Sequence, residues 1–486
     1  MSVDDIVFKP ATTLARLLRS RKISRVELMK AFIAQVERVN PKVNAIVTFL
    51  PEEALKEARR MDRKGAKQTL FGGLPIAYKD MIVTKGIRTT FGSPIYADNV
   101  PTEDHVIVQR LKAAGAITLG KTNTPEFAAG SQTFNKVFGT TLNPYDLDKT
   151  CGGSSGGAAV AVACGMLPFA DGSDLGGSLR NPANFCNVVG FRPTPGRIPY
   201  YPAMDVWATL SVLGPIARSA EDAAFLLSAM AGPDARSPIS SDEPGARFAK
   251  PLARDFRKVR IAWWPRSANS FPVDKRVTAV VEKQRGVLES LGCIVEDAHP
   301  DLGGADEVFQ VLRANSFAMR YGELLKKHRD KIKDTVIWNI EEGLKLDGPR
   351  VGRAMAQRSD IYRRMREFME RYEFLCLPVS QVPPFPASQA YVDTIDGVKL
   401  ATYVDWMKSC YHITVTSHPA ISVPAGFTEP SPRPSPKGEG ELPVGLQIVG
   451  RYRDDFGVLQ MAHAFEEARL TRLPAGSRVF SRPPVS

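Results

Sequence analysis

The chain has 486 residues, 43% of them hydrophobic and 24% charged, which is the composition of a globular protein. The net charge of +12 suggests nucleic-acid binding, but 64 basic residues are interleaved with 52 acidic ones, so no nucleic-acid partner is expected. No apolar run is long enough for a membrane span, and residues 1–22 do not resemble a secretory signal. With six scattered cysteines and no C-x-x-C, these features predict a cytoplasmic protein.

Helix and strand signals alternate along the chain. Residues 24–38 begin with Ser24 and Glu27 in capping-box spacing and continue as an amphipathic helix. Residues 105–115 predict a second helix, which is closed by a glycine. Beyond them the pattern predicts a buried helix at 156–165, a helix at 275–292, and strands at 116–120, 258–264, 293–298 and 372–379. Such alternation predicts an α/β fold with helices on both faces of a sheet.

Two segments interrupt this alternation. Residues 232–256 are rich in proline, serine and aspartate, and they join the two halves of the chain. Residues 429–441, EPSPRPSPKGEGE, are low in complexity and apolar-free, which predicts a surface insertion without chemistry of its own. The chain length by itself favours two or three domains, although large α/β enzymes built on one wide sheet reach the same length.

Residues 115–122, GAITLGKT, match the phosphate-binding loop pattern G-x-x-x-x-G-K-[ST]. The four variable positions, however, hold residues that favour an extended strand, and Pro125 follows where the pattern requires a helix. The six histidines show no H-E-x-x-H or H-x-H spacing and no cysteine partner at ligand spacing. We therefore expect no nucleotide, no metal and no cofactor.

The stretch TCGGSSGGAAVAVACG, residues 150–165, satisfies the nucleophile-elbow pattern G-x-S-x-G twice, with Ser154 or Ser155 at the centre. This stretch alone is compatible with a phosphate-binding loop, a nucleophile elbow or a flexible linker. The apolar helix that follows disfavours a linker. The elbow needs histidine and aspartate partners, and the downstream histidines lie in undistinguished contexts. A second glycine-flanked serine, Ser178, stands 24 residues after Ser154.

Lys79 follows the apolar strand signal LPIAY, where a mobile surface charge is unexpected. One interpretation is a strand-end lysine paired with Asp80. The other is a buried, neutral lysine that acts as a base, because burial disfavours the ammonium form and lowers its pKa.

Together these motifs resemble the amidase signature family of serine hydrolases. The family's hallmarks are G-G-S-S-G-G, then G-S/T-D-x-G-G-S-x-R-x-P, and an upstream lysine in P-x-x-x-K-D. All three stand here in order within residues 70–220, with the family's spacing between the two serines. Weaker resemblance covers nearly the whole chain. The resemblance implies one domain over residues 1–486, with a large mixed twisted β-sheet covered on both faces by α-helices.

The resemblance also implies a Ser-Ser-Lys triad. Ser178 is the expected nucleophile, and Lys79 is the terminal base. Ser154, which follows an expected cis peptide bond after Gly153, relays the proton between them.

Further residues receive supporting roles from the same resemblance. The backbone N–H groups expected to form the oxyanion hole are those of Leu175, Gly176, Gly177 and Ser178. The small residues expected beside the acyl site are Ala128, Ala129 and Gly130. The residues expected to support the loop are Ser155, Asp174 and Arg180. Candidate walls for an apolar or aryl acyl group, for which ordinary core packing is the alternative, are Met204, Trp207, Phe317, Tyr321 and Trp406.

These roles predict an amidase that cleaves a non-peptide carboxylic amide, apolar or aryl in character, into an acid and an amine. The alternatives are the glutaminase A subunit of a tRNA-dependent amidotransferase, a carbamate or cyclic-amide hydrolase, and an inactive binding protein on the same fold. Many members read N-L-T-G-x-P-A-I-S-V-P near the C-terminus, and Thr414, Ser417 and His418 depart from that pattern. The departure disfavours the amidotransferase. The expected partner is a small-molecule amide, and a homodimer is left open.

Overall fold

The computed structural model describes residues 3–63, 68–266, 270–429, 441–472 and 482–486. Most of the insertion predicted at 429–441 therefore lies outside the described residues. None of the helices within the described ranges is both long enough and apolar enough to cross a membrane.

Helix α3 (Arg25–Val43) begins where its sequence predicts. The Ser24 hydroxyl accepts the Glu27 N–H at 3.1 Å, and the Glu27 carboxylate accepts the Ser24 N–H at 2.8 Å, which forms the predicted capping box. The described helices are α1 (Val3–Val7), α2 (Ala11–Arg19), α3 (Arg25–Val43), α4 (Pro51–Asp62), α5 (Val106–Ala113), α6 (Gly156–Ala163), α7 (Arg180–Phe185), α8 (Ala220–Met230), α9 (Lys275–Glu282), α10 (Arg285–Ser290), α11 (Ala305–His328), α12 (Asp334–Leu344), α13 (Gly348–Arg371), α14 (Lys408–Thr416) and α15 (Asp455–Arg472).

One predicted helix is divided in two. The sequence predicts a continuous helix over 275–292, whereas α9 ends at Glu282 and α10 begins at Arg285. The division occurs because the Gln284 N–H bonds to the carbonyl of Val281, only three residues back, which tightens the turn. The Gln284 side chain also donates to the Val280 carbonyl, at 3.1 Å.

The strands form one large sheet, a three-stranded sheet and two short hairpins. Their bounds are β1 (Ile46–Phe49), β2 (Pro75–Lys79), β3 (Ile117–Thr122), β4 (Phe134–Asn135), β5 (Gly139–Thr140), β6 (Phe169–Asp174), β7 (Val189–Arg192), β8 (Val212–Ala217), β9 (Arg260–Trp263), β10 (Ile294–Asp297), β11 (Phe374–Pro378), β12 (Thr394–Ile395), β13 (Val398–Lys399), β14 (Ala420–Phe427) and β15 (Pro443–Gly450). The large sheet has the order β10-β9-β11-β15-β14-β7-β8-β6. The pairs β10–β9 and β9–β11 are parallel and the rest antiparallel, so the predicted mixed sheet is confirmed.

Alternating side chains of this sheet enter two separate cores. In β15, Leu446 and Ile448 join a core that includes residues of α9 and α15, whereas Val449 joins a core that includes residues of α11, α13 and α14. In β11, Cys376 and Leu377 divide in the same way. Because successive side chains of a strand point to opposite faces, helices cover both faces of the sheet, as predicted.

The three-stranded sheet, in the order β1-β3-β2, places Lys79 at the end of β2 beside β6 of the large sheet. Its strand β3 contains most of the GAITLGKT stretch. Lys121 is fully buried there, and its ammonium donates to the hydroxyls of Thr84 and Thr89 at 3.1 Å each. The stretch is therefore a strand, as its residue types predict, and it forms no phosphate-binding loop.

Helix α6 follows the glycine-serine loop, and at Gly157 it lies very close to the backbone around the three-stranded sheet. A Cβ at Gly157 would lie 2.4 Å from the backbone N of Asn123 and 2.6 Å from the carbonyl O of Ala45. We expect Gly157→Ala to lower the free energy of unfolding by about 3 kcal/mol, because backbone atoms on both sides cannot yield. Urea denaturation measures the change.

Gly352 of α13 is the matched control, since a Cβ at that position meets nothing within 4 Å. Gly352→Ala should raise the free energy of unfolding by up to about 1 kcal/mol through helix propensity. Equal effects of the two substitutions would contradict the close approach at Gly157.

Candidate active site

The amine of Lys79 lies among three serine hydroxyls. The side chain is fully buried, and its Nζ donates to Oγ of Ser154 at 2.7 Å, of Ser173 at 2.9 Å and of Ser155 at 3.0 Å. Lys79 ends β2, and Ser173 lies on the neighbouring β6. The two strands and the glycine-serine loop therefore meet at one nitrogen atom.

No carboxylate of the described residues lies within 4 Å of this nitrogen. Asp80, the alternative partner, instead accepts the Thr90 N–H at 3.2 Å. Asp171 accepts the backbone N–H of Lys79 at 3.3 Å, not the amine. Burial lowers the pKa of Lys79 to about 7, although the negative charges of Asp171 and Asp174 act to raise it. A large fraction of Lys79 is therefore neutral near neutral pH and able to accept a proton.

The glycine-serine loop is held by hydroxyl groups of a preceding segment. The peptide bond between Gly153 and Ser154 is cis, as the resemblance implies. Ser131 Oγ donates to the Gly153 carbonyl at 2.7 Å, and Thr133 Oγ1 donates to the Gly152 carbonyl at 2.9 Å. These contacts fix the backbone that aims the Ser154 hydroxyl at Lys79.

Asp174 is the centre of a second buried network. Its two carboxylate oxygens accept from Arg180 Nε and Nη2 at 2.9 Å each, and Arg192 lies 3.3 Å away. The carboxylate also accepts the backbone N–H groups of Gly177 at 2.9 Å and Leu179 at 3.2 Å. Burial raises the pKa of Asp174, but the two guanidinium charges outweigh it and hold the pKa well below its usual range. The loop that carries Ser178 is thus fixed by a permanent negative charge.

Of the four N–H groups expected in the oxyanion hole, that of Gly177 is already donated to Asp174. The N–H groups of Leu175, Gly176 and Ser178 have no acceptor among the described residues. The carbonyl of Ser178 accepts the Ser155 N–H at 3.2 Å, which joins the two serine loops. Three of the four expected backbone donors therefore remain for a ligand, whereas the N–H of Gly177 binds the carboxylate of Asp174.

Two cavities adjoin at this site, and the serine loops line one of them. The inner one has a volume of about 80 Å³, and its walls include Ser154, Ser173 and Ser178. The outer one has a volume of about 310 Å³. Its walls are largely aromatic and apolar and include Val83, Phe91, Tyr96, Phe127, Tyr200, Met204, Tyr321 and Leu324. The cavity at the serines therefore adjoins a larger cavity lined mainly by hydrophobic side chains.

The small residues predicted beside the acyl site divide between wall and core. Ala128 and Gly130 line the inner cavity. Ala129 is fully buried and packs in a core with Phe127 and Phe317, so it does not face the cavity. The reason is local geometry, because three consecutive residues of a tight turn cannot all point the same way.

The predicted aromatic walls divide as well. Phe317 and Tyr321 line the inner cavity, and Met204 lines the outer one. Trp406 is 1% exposed and stacks on Phe185 in the core, so ordinary packing explains it. Trp207 is 67% exposed and lines neither cavity.

Several site residues were not predicted from the sequence. On β6 the side chains of Asp171 and Ser173 lie on the same side of the strand, and both contact Lys79. The sequence signal is their period-two spacing in the stretch DGSD, because every second residue of a strand faces the same side. One face of α11 also lines the inner cavity with Phe309, Arg313, Ser316 and Arg320. Their spacing of three and four residues is that of one helical face.

The C-terminal departures from the family pattern lie beside the same networks. Thr414 Oγ1 accepts from Arg180 Nη2 at 3.0 Å. Ser417 has a left-handed backbone, and its Oγ accepts from Arg358 at 2.9 Å. His418 is 1% exposed, and burial lowers its pKa to about 4, so it is neutral at physiological pH. None of the three lines the two cavities at the serines.

Comparison with known proteins shows the family of the chain. The model of the amidase family matches residues 27–459. The chain belongs to the amidase family. An acylamidase from Rhodococcus erythropolis is 36% identical over 487 residues, covering 99% of this chain and all of that protein. The amidase family assignment makes the protein a hydrolase of carbon–nitrogen bonds other than peptide bonds.

Two further relatives bear on this amidase. The glutamyl-tRNA(Gln) amidotransferase A subunit of Moorella thermoacetica is 35% identical, covering 96% of this chain and 97% of that protein. The crystal structure of a bacterial aryl acylamidase of the amidase signature family superposes with a TM-score of 0.88 at 27% identity, covering 97% of this chain and 99% of the other. The fold predicted from the resemblance is therefore confirmed.

The Asp174 network generates a prediction about stability. Asp174→Asn removes the charge that compensates two fully buried guanidinium groups, Arg180 and Arg192. We expect the free energy of unfolding to fall by about 3–5 kcal/mol, as measured by urea denaturation. The control is Asp360→Asn, which removes an exposed ion pair with Arg363 and should cost less than about 1 kcal/mol. A small loss at Asp174 would show that the network does not hold the loop.

Proposed function

We propose that the protein hydrolyses apolar or aryl carboxylic amides through an acyl-enzyme on Ser178. The observation that carries this proposal is the 2.7 Å separation of the buried amine of Lys79 and Ser154 Oγ, at a cavity that Ser154 shares with Ser178. A buried lysine of lowered pKa supplies a base, and a hydroxyl can both donate and accept a proton.

In the proposed acylation, Ser178 Oγ attacks the amide carbonyl carbon. Its proton passes to Ser154 Oγ, while Ser154 passes its own proton to the neutral amine of Lys79. The tetrahedral intermediate then collapses, the C–N bond breaks, and the proton returns through Ser154 to the leaving nitrogen. The products of this half-reaction are an amine and an ester of Ser178.

Deacylation reverses the roles with water as the nucleophile. Lys79 and Ser154 take a proton from water as it attacks the ester, and they return one to Ser178 Oγ as the acid departs. In both halves the negative oxygen of the intermediate is placed near the N–H groups of Leu175, Gly176 and Ser178, which have no protein acceptor among the described residues. One such donor contributes about 3 kcal/mol to stabilising the transition state.

The hydrophobic walls of the outer cavity support an apolar or aryl substrate. The relatives named acylamidase and aryl acylamidase agree with that choice. A single domain over residues 1–486 and a cytoplasmic location stay predictions from the sequence, and homodimerisation stays open.

The glutaminase component of an amidotransferase is the second candidate, favoured by 35% identity to such a component over almost the whole chain. The test is turnover of glutamine to glutamate and ammonia, compared with turnover of anilides. Faster turnover of glutamine than of anilides, together with co-purification of further protein components, would support the second candidate over the first.

The nucleophile is tested with a fluorophosphonate, followed by peptide mapping. We expect the label on Ser178, and we expect none on the Ser178→Ala variant, because only an activated serine attacks the phosphorus atom. Ser155→Ala is the matched control and should retain labelling, since Ser155 contacts Lys79 but is not the proposed nucleophile. Label on Ser155, or label that survives Ser178→Ala, would overturn the assignment.

The base is tested by the pH dependence of kcat/KM. Because the neutral amine is the active form, kcat/KM should rise with pH through an apparent pKa of about 7 and then level off. Lys79→Met should lower kcat by about 10²- to 10⁴-fold and remove this limb. Ser173→Ala removes one hydrogen-bond acceptor of the ammonium form of Lys79, which should lower the pKa of the lysine. The rise of kcat/KM in this variant should therefore occur at lower pH. A limb that survives in Lys79→Met would show that another group titrates.

A further inference from the structure

One face of helix α11 forms a wall of the inner cavity. Phe309, Arg313, Ser316, Phe317 and Arg320 follow one another along it at intervals of one to four residues. This face brings two positive charges to the cavity that contains Ser178, and neither takes part in the chemistry proposed above.

The guanidinium of Arg313 binds other side chains of the protein. Its guanidinium donates to the side-chain oxygen of Asn339 on α12 and, at 2.7 Å, to the hydroxyl of Tyr403. It also lies over the Phe317 ring, 4.7 Å from the ring centroid. Its donors are thus directed into the protein, which fixes α11 against α12.

Arg320 is different. It is partly buried and lies where the inner cavity, the outer cavity and a small third cavity meet. Its Nε is shielded from solvent and has no hydrogen-bond partner. Asp205 borders the third cavity, yet neither it nor any other carboxylate of the described residues lies within 4 Å of the Arg320 guanidinium.

This arrangement contrasts with the buried arginines of the Asp174 network. Arg180 and Arg192 both lie within 3.3 Å of a carboxylate oxygen, which compensates their lost hydration. An arginine drawn partly out of water is costly unless neutral acceptors compensate it, as at Arg313, or a counter-charge does, as at Arg180 and Arg192. The planar guanidinium matches a carboxylate in particular, because both groups form two parallel hydrogen bonds.

Neighbouring hydroxyl groups add to such a site. Ser211 and Tyr200 border both the inner and the third cavity together with Arg320, and Ser316 lies one helical turn before it. Each hydroxyl can donate to an anionic oxygen. The outer cavity beyond is aromatic, so it suits the uncharged remainder of a ligand.

We propose that Arg320 binds a carboxylate of the substrate, so that the site takes amides bearing an anionic group beside an apolar or aryl part. The proposal rests on the amide hydrolysis proposed above, and it adds a charged recognition element to a pocket that is otherwise hydrophobic. Arg320 is a substrate-binding residue in this proposal and takes no part in proton transfer.

The test uses pairs of anilides that differ only in a carboxylate or a nitro group, because nitro is a planar neutral isostere of carboxylate. One pair has the group on the amine side, 3-acetamidobenzoate and 3-nitroacetanilide. The other has it on the acyl side, N-phenylsuccinamate and N-phenyl-3-nitropropanamide. In at least one pair, Arg320→Met should lower kcat/KM for the carboxylate about 10- to 100-fold more than for the nitro compound, the size of one lost charge-assisted hydrogen bond.

Two matched variants complete the experiment. Arg320→Lys keeps the charge without the planar fork and should lose less discrimination than Arg320→Met. Lys327→Met removes an exposed positive charge further along the same helix and should leave both members of each pair unchanged. Equal losses for carboxylate and nitro compounds in Arg320→Met would overturn the proposal.

A measurement on the unaltered protein covers the case in which Arg320→Met does not fold. Inhibition of 3-nitroacetanilide hydrolysis by 4-methylbenzoate should be at least about tenfold stronger than inhibition by 4-nitrotoluene. Equal inhibition by the two compounds would overturn the role of Arg320 while leaving the hydrolysis in place. No hydrolysis of any anilide, with no fluorophosphonate label on Ser178, would instead overturn the proposed function and with it the role of Arg320.

Discussion

The burial of a lysine amine without a counter-charge is the constraint on which this site depends. Lys79 is fully enclosed, and its Nζ contacts three hydroxyl groups and no carboxylate of the described residues. Hydroxyl groups can accept from an ammonium ion but cannot neutralise it, so burial lowers the pKa of Lys79 to about 7. The two sheets contribute to the chemistry by keeping water and carboxylates away from this nitrogen.

Strand β6 keeps this nitrogen apart from a second buried charge. Ser173 faces Lys79, whereas Asp174, the next residue, contacts Arg180 and Arg192. Successive side chains of a strand point in opposite directions, so the side chains of these adjacent residues enter two different networks. The carboxylate of Asp174 can therefore organise the loop of Ser178 without forming an ion pair with Lys79, which would raise the pKa of the lysine and keep its amine protonated.

Much of the site could be predicted because its residues act over short stretches of chain. The glycine-rich loops and the lysine at a strand end carry their own signals, and the cis bond between Gly153 and Ser154 was implied by the resemblance. Residues whose roles depend on distant partners were not predicted, such as Ser173. The same reason explains why the predicted aromatic walls were only partly right. The sequence around Trp406 and Phe317 does not tell a core residue from a cavity wall. Only tertiary packing places Trp406, in the turn before α14, in the core and Phe317, on α11, at the cavity.

The residues proposed for the chemistry and those proposed for substrate choice come from different parts of the chain. The residues around Lys79 belong to strands and loops before residue 180, whereas α11 enters the site from the second half of the chain. This helix is anchored by Phe309, which stacks on Tyr411 with ring centroids 4.2 Å apart, and by the contacts of Arg313. Arg320, two turns beyond Arg313, is thus held on a rigid element. Substitutions on this face can change which amide binds without altering the pKa of Lys79, and a rigid support lets one guanidinium discriminate between charged and neutral substrates.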